Sequence, residues 1–188
     1  MTAPTRVAGW GRLGDGSVVT WTVADGRKGR RWREVVADGA AAAHALLLET
    51  DPDRRFSHLE LARADGLWTF HPEPDGTLHG NHVRAGDDLV RHVVGWAFAP
   101  DDVLIVEGSP LSLAATAWHR LSAMGEGVSA QVAGVVIGSN GGLVQLPEIR
   151  IERMSRTRWR IGGWGPFEVD EGGLPVLGDG TIRPLELA

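Results

Sequence analysis

Asp65-Gly66-Leu67-Trp68-Thr69-Phe70-His71-Pro72-Glu73-Pro74-Asp75-Gly76-Thr77-Leu78-His79-Gly80-Asn81-His82-Val83-Arg84 is the stretch on which the fold turns. Each of its two Asp-Gly pairs is followed by a run in which apolar and polar residues alternate. Asp-Gly tolerates the positive φ angles of tight hairpins, so the stretch reads as reversal, strand, reversal, strand. Its two strands bring His71 near His79 across the ladder.

The same pair recurs at Asp15-Gly16, Asp25-Gly26, Asp38-Gly39 and Asp179-Gly180. Between the turns the period is two: Val19, Trp21 and Val23 share one side of a strand, and Val18, Thr20 and Thr22 the other. Similar runs lie at Trp32 to Ala37, His44 to Glu49, His58 to Arg63, Leu67 to His71, Leu78 to Arg84, Leu89 to Phe98 and Val103 to Glu107. That spacing predicts a mainly β protein with a rolled, mostly antiparallel sheet, a spiral β-roll or half-open barrel, and disfavours parallel βαβ architecture. Further strands are expected at Val128 to Ile137, Leu143 to Met154 and Thr157 to Trp164.

One helix interrupts the pattern, predicted over residues 110–124. Ser109 is placed to cap it, Pro110 sits at its first position, and Gly125 follows its end. Leu111, Ala114, Ala115, Trp118 and Leu121 form a stripe that must cover part of the sheet.

Composition bounds the rest. The 188 residues fit one ordinary domain, 1–188, with enough chain to bury a core unaided. The absence of cysteine excludes disulfides, thiolate metal sites and thiol nucleophiles. No leader or apolar run of membrane-spanning length is evident, which points to the cytoplasm. A formal charge of −5 argues against nucleic acid as a partner. No phosphate-binding glycine loop or nucleophile elbow occurs. The expected partner is an apolar or amphipathic small molecule. Oligomeric state is not legible.

The candidate site gathers around the quoted stretch. Imidazole titrates nearest neutrality, so His71, His79, His82 and His92 are candidates for acid/base work, with Glu60 to tune them. Strict alternation puts His79 and Asn81 on one face and His82 on the other, unless Gly80 marks a bulge. Strand spacing gives no metal-ligand pattern, so no metal is expected. Of the tryptophans, Trp21, Trp68 and Trp96 are the candidate walls of an apolar pocket, with His79 and Asn81 orienting a polar end. Basic residues at Arg27, Lys28, Arg30, Arg31 and Arg33 read as a solvated hairpin tip, with an anion contact as the sharper option. Arg156, Arg158 and Arg160 read as an exposed ladder.

The order of these elements resembles the glycolipid-binding domain family of spiral β-roll proteins. The resemblance is carried by Asp65-Gly66-Leu67-Trp68-Thr69 before Leu78-His79-Gly80, by the segment from Ser109-Pro110 to Arg120-Leu121, by Leu146-Pro147-Glu148-Ile149 with Arg153 and Trp159, and by Val169-Asp170-Glu171-Gly172-Gly173-Leu174. Where that family has a polar segment, this chain has His82-Val83-Arg84 and Leu111-Ser112-Leu113-Ala114-Ala115. The resemblance therefore implies only the fold and an apolar ligand; binding of a hydrophobic or amphipathic small molecule, with no cofactor, is the expectation adopted. The alternative is a cofactor-free cyclase, isomerase or hydrolase using the pocket histidines.

Overall fold

The structure, a computed structural model, describes residues 6–39, 41–86, 89–139 and 141–176. They fall into two compact units that meet in sequence between Pro100 and Asp101.

In the first unit the chain folds as a meander of β1 (Arg6–Arg12), β2 (Val18–Gly26), β3 (Gly29–Asp38), β4 (Ala41–Thr50), β5 (Phe56–Arg63), β6 (Gly66–Pro72), β7 (Thr77–Arg84) and β8 (Val90–Ala97). Every strand pairs antiparallel with its neighbour in sequence, giving one eight-stranded sheet. The reversals are where Asp-Gly predicts them, with Gly16, Gly39, Gly66 and Gly76 all at positive φ. At Gly66 the φ of 144° coincides with close packing, since a Cβ would lie 2.1 Å from the Val83 carbonyl oxygen; glycine is required there. The Asp75 carboxylate accepts from Thr77 Oγ at 2.7 Å and Thr77 N at 3.0 Å. Those two bonds hold its pKa below the usual 3.8, the side-chain bond contributing most. The turn at Asp179-Gly180 lies outside the described residues.

Strand β1 is not anticipated by the sequence reading, because Gly9, Gly11 and Gly14 break its apolar pattern. It pairs with β2 over its whole length nonetheless, from Arg6 opposite Ala24 to Arg12 opposite Val18.

The second unit contains β9 (Val103–Val106), α1 (Pro110–Arg120), β10 (Ser129–Ile137), β11 (Leu143–Arg153), β12 (Arg158–Ile161), β13 (Trp164–Val169) and β14 (Pro175–Val176). Its six strands are ordered β14-β13-β12-β11-β10-β9 in a sheet that curls as a half-barrel. The predicted mainly β, mostly antiparallel architecture with one covering helix is therefore the observed one.

Two local expectations need correction. Strands β9 and β10 are parallel, Gly134 opposite Val103 through Ile137 opposite Val106, with α1 as the crossover. Among the described residues one βαβ unit thus sits among antiparallel pairings, since parallel strands need a long crossover, here the segment that carries α1. The run Thr157 to Trp164 is two strands, divided at Gly162 where φ is +53°.

The helix begins as predicted, Ser109 Oγ accepting from Ser112 N at 3.1 Å, but ends at Arg120. Ser112 Oγ also donates to the Val106 carbonyl and accepts from Val106 N, both at 3.1 Å. This hydroxyl satisfies buried polar groups of β9, which is why a serine sits on the packed side of α1. At the other end Trp118 rests against Gly173, where a Cβ would lie 2.5 Å from the ring.

Candidate functional site

Residues directly opposite on paired strands share a face, so the registers of the meander sheet sort its side chains. One face is packed. A row on it runs Val23, Trp32, Leu48, Leu59, Phe70 and Gly80. Phe70 is fully buried and its ring covers Gly80, where a Cβ would lie 2.6 Å from the ring edge.

The opposite face is open, and its residues change character along the strands. One row crosses all eight strands as Trp10, Thr20, Val35, Ala45, Ala62, Leu67, Val83 and Val90. Val35, Leu67 and Val83 on it are 40%, 39% and 37% exposed. Two residues along each strand, about 7 Å away, the next row reads Ala8, Thr22, Arg33, Leu47, Glu60, Thr69, Asn81 and His92. Beyond it lie Arg6, Ala24, Arg31, Glu49 and His58, then His71 opposite His79. Apolar, polar and ionisable side chains thus follow one another across a single surface.

This face carries an open groove of about 450 Å³ bordered by β1 to β6. Its walls include Thr20, Thr22, Arg33, Val35, Ala45, Leu47, Glu60, Ala62 and Leu67. It is a broad, open depression running across six strands. The volume falls within the ~300–1,000 Å³ typical of small-molecule sites.

The sequence-predicted site residues divide between the faces. His71, His79, His92, Asn81 and Glu60 all lie on the open face. The rings of His71 and His79 are 5.2 Å apart and those of His79 and His92 are 5.9 Å apart. His71 contacts Glu73 at 2.9 Å, and His58 contacts Glu60 at 3.1 Å. These imidazoles cluster on β5 to β8, beside the groove, and of the predicted set only Glu60 and Trp21 border it.

His82 lies on the packed face, stacked on Trp68 with ring centroids 3.7 Å apart, and its buried Nε2 has no hydrogen-bond partner among the described residues. It does not join His79. The irregularity between Leu78 and Gly80 places the extra residue on β8, since Leu78 faces Trp96 while Gly80 faces Val93. Strand β7 keeps strict alternation, so the expected bulge does not turn His79 and His82 the same way. Trp21, Trp68 and Trp96 also belong to the packed side; Trp96 pairs with buried Leu78, and the indoles of Trp21 and Trp68 are buried. Trp21 and Trp68 are core side chains and Trp96 is half-buried; of the three only Trp21 borders the groove, whose wall is otherwise built largely of smaller residues.

Two features escaped the sequence reading. Glu34 and His44 form a contact at 2.9 Å on the packed face, with Glu34 only 2% exposed. Their spacing across a hairpin carries no sequence signature. The other is that Arg6 of β1 joins part of the basic cluster already singled out at residues 27–33. Within the cluster at residues 27–33, Arg30 makes two bonds to Asp25 and Arg31 pairs with Glu49. Arg33 has no hydrogen bond or ion pair among the described residues, and it borders both the groove and a smaller hollow of about 190 Å³ shared with Arg6, Thr22, Ala24 and Arg31.

In the second unit, Arg158 and Arg160 are exposed while Trp159 and Ile161 are buried, as alternation requires. Arg160 pairs with Glu152, and Arg156 with Glu171. Arg153 donates to the Met124 carbonyl at 2.7 Å and lies over Trp159. Arg153, Arg156 and Arg160 are thus engaged in structure. Among the described residues no group of three or more His, Asp or Glu side chains could hold a metal ion, and no helix is long and apolar enough to cross a membrane.

No protein-family profile and no curated sequence matches the chain. Among solved structures it is similar to a DUF1089 family protein from Pseudomonas aeruginosa, with 16% identity, coverage of 94% of this chain and 89% of that one, and a TM-score of 0.48.

Proposed function

We propose that the open face of the meander sheet binds an amphipathic small molecule, its apolar part along Val35, Ala45, Ala62 and Leu67 and its polar part toward Arg33, Thr22 and Glu60. The observation that carries this reading is the gradation of the open face. A groove of about 450 Å³ has aliphatic residues on one row and hydrogen-bonding or charged residues on the next. Exposed contiguous apolar surface of this kind marks a binding site more often than accident. The resemblance to glycolipid-binding β-roll proteins points the same way.

Binding is favoured over acid/base catalysis because the imidazoles stand beside the hollow and the face is open. General acid/base chemistry needs a proton-transferring group within hydrogen-bond reach of the reacting atom. No imidazole borders the groove, and the two carboxylates that do, Glu34 and Glu60, are engaged with His44 and His58.

The test uses Nile red, a neutral dye whose emission strengthens and shifts to the blue in apolar surroundings. Wild-type protein is expected to bind it saturably, and Ala62→Glu, which sets a charge in the middle of the apolar row, to weaken binding by about tenfold, the effect of losing one buried apolar contact. Circular dichroism checks that the fold is retained. Absence of saturable binding, or equal binding by the folded variant, overturns the reading.

A further inference from the structure

Arg33 stands at a junction. Its cross-strand neighbours are Thr22 on one side and Leu47 on the other, so a cationic side chain separates a hydroxyl from an aliphatic wall. It borders the aliphatic groove and the small basic hollow at once. Arg6, at the start of β1, borders that hollow too and likewise has no ion-pair partner among the described residues. By contrast Arg30 and Arg31, from the same strand, are neutralised by Asp25 and Glu49. In a protein of net charge −5, two uncompensated guanidinium groups converging at the mouth of an apolar groove are a local inversion of charge.

Two carboxylates border the groove: Glu34 is buried against His44 at 2.9 Å on the opposite face from Arg33, and Glu60 lies two strands from Arg33, about 10 Å at ordinary strand spacing, engaged by His58 at 3.1 Å. An anion at Arg33 therefore meets attraction without a facing carboxylate. Guanidinium presents a planar fork of donors that matches the two oxygens of a carboxylate or phosphate.

We infer that the molecule bound in the groove is a single-chain amphiphile with an anionic head, a carboxylate or phosphate monoester, whose head is held by Arg33 with Arg6 and the Thr22 hydroxyl, and whose chain lies along Val35, Ala45 and Ala62. This rests on the groove-binding reading above and adds to it the charge and the polarity of the bound molecule. The head points toward β1 to β3, away from the imidazoles.

Calorimetric titration with decanoate, decyl phosphate, decanol and inorganic phosphate, each below any micelle concentration, tests it. Decanoate or decyl phosphate is expected to bind at least about tenfold more tightly than decanol, the difference that one charge-assisted contact makes. Arg33→Gln is expected to remove that preference and Arg33→Lys to restore part of it, with circular dichroism checking that both variants keep the fold. Equal affinity for decanol and decanoate overturns the anionic head and leaves the groove reading standing. Inorganic phosphate binding as tightly as decyl phosphate overturns the amphiphile, since the hollow then serves a free anion. An anion preference that survives both Arg33→Gln and Arg6→Gln overturns the assignment of the head. Failure of Nile red and of every alkyl compound overturns the groove reading and this inference with it.

Discussion

On the packed face of the meander sheet one row of paired residues carries Val23, Trp32, Leu48, Leu59 and Phe70; one residue along the same strands, the open face carries Thr22, Arg33, Leu47, Glu60 and Thr69. The two sets share backbone, register and hydrogen bonds, so only side-chain direction separates them. The packed row keeps its indole, aliphatic groups and one glycine-covering ring buried, and Glu34, buried on the same face one row away, has a partner in His44. The open row leaves Arg33 unpaired and Leu47 beside a hollow. The lesson is that stability and recognition are written on alternate letters of the same strands, and each can be perturbed while sparing the other.

The sharpest way to break that contrast is to hollow the packed face. Trp32→Ala removes a fully buried indole and is expected to lower unfolding free energy by about 3–5 kcal/mol, read as a shift in the urea midpoint. A loss well below that range would show that the face is less tightly filled than its burial indicates. Next comes the Glu34–His44 pair. Removing one partner, Glu34→Ala, leaves an imidazole buried without its acceptor and is expected to cost about 3 kcal/mol, whereas the double change to leucines recovers most of that loss. If the double variant is as unstable as the single, the pair is not what the buried imidazole depends on. At the small end lies the open face. Leu67→Ser, at an exposed position bordering the groove, is expected to leave stability within about 0.5 kcal/mol while weakening Nile red binding. A large loss of stability would mean that the open face is itself part of a packed core.

The meander was legible because its turns carry their own chemistry. Asp15-Gly16, Asp38-Gly39, Asp65-Gly66 and Asp75-Gly76 close real reversals, and the alternation between them set the faces. The cross-strand approach of His71 and His79 followed from the same turn. What the sequence hid was less local. Strand β1 was concealed by its glycines, and with it Arg6, so the basic hollow could not be assembled from the segment at residues 27–33 alone. Which face of each strand is packed cannot be read from alternation when both faces carry apolar residues: Trp21 and Trp68 are the larger side chains and are buried, while Val35 and Leu67 line the hollow. The parallel pairing of β9 with β10 was invisible for another reason. A short apolar strand has the same composition whichever direction its neighbour runs.

The helical return between β9 and β10 has a temporal corollary. Strands β1 to β8 each meet the strand next in sequence, so their contacts close over short loops, whereas the register of Val103 to Val106 against Gly134 to Ile137 brings together positions about thirty residues apart and waits on an intervening helix. Because ordering a longer stretch before its contacts form slows assembly, amide protection in a refolding chain should arrive first at the hairpins of the meander and last along that one parallel seam.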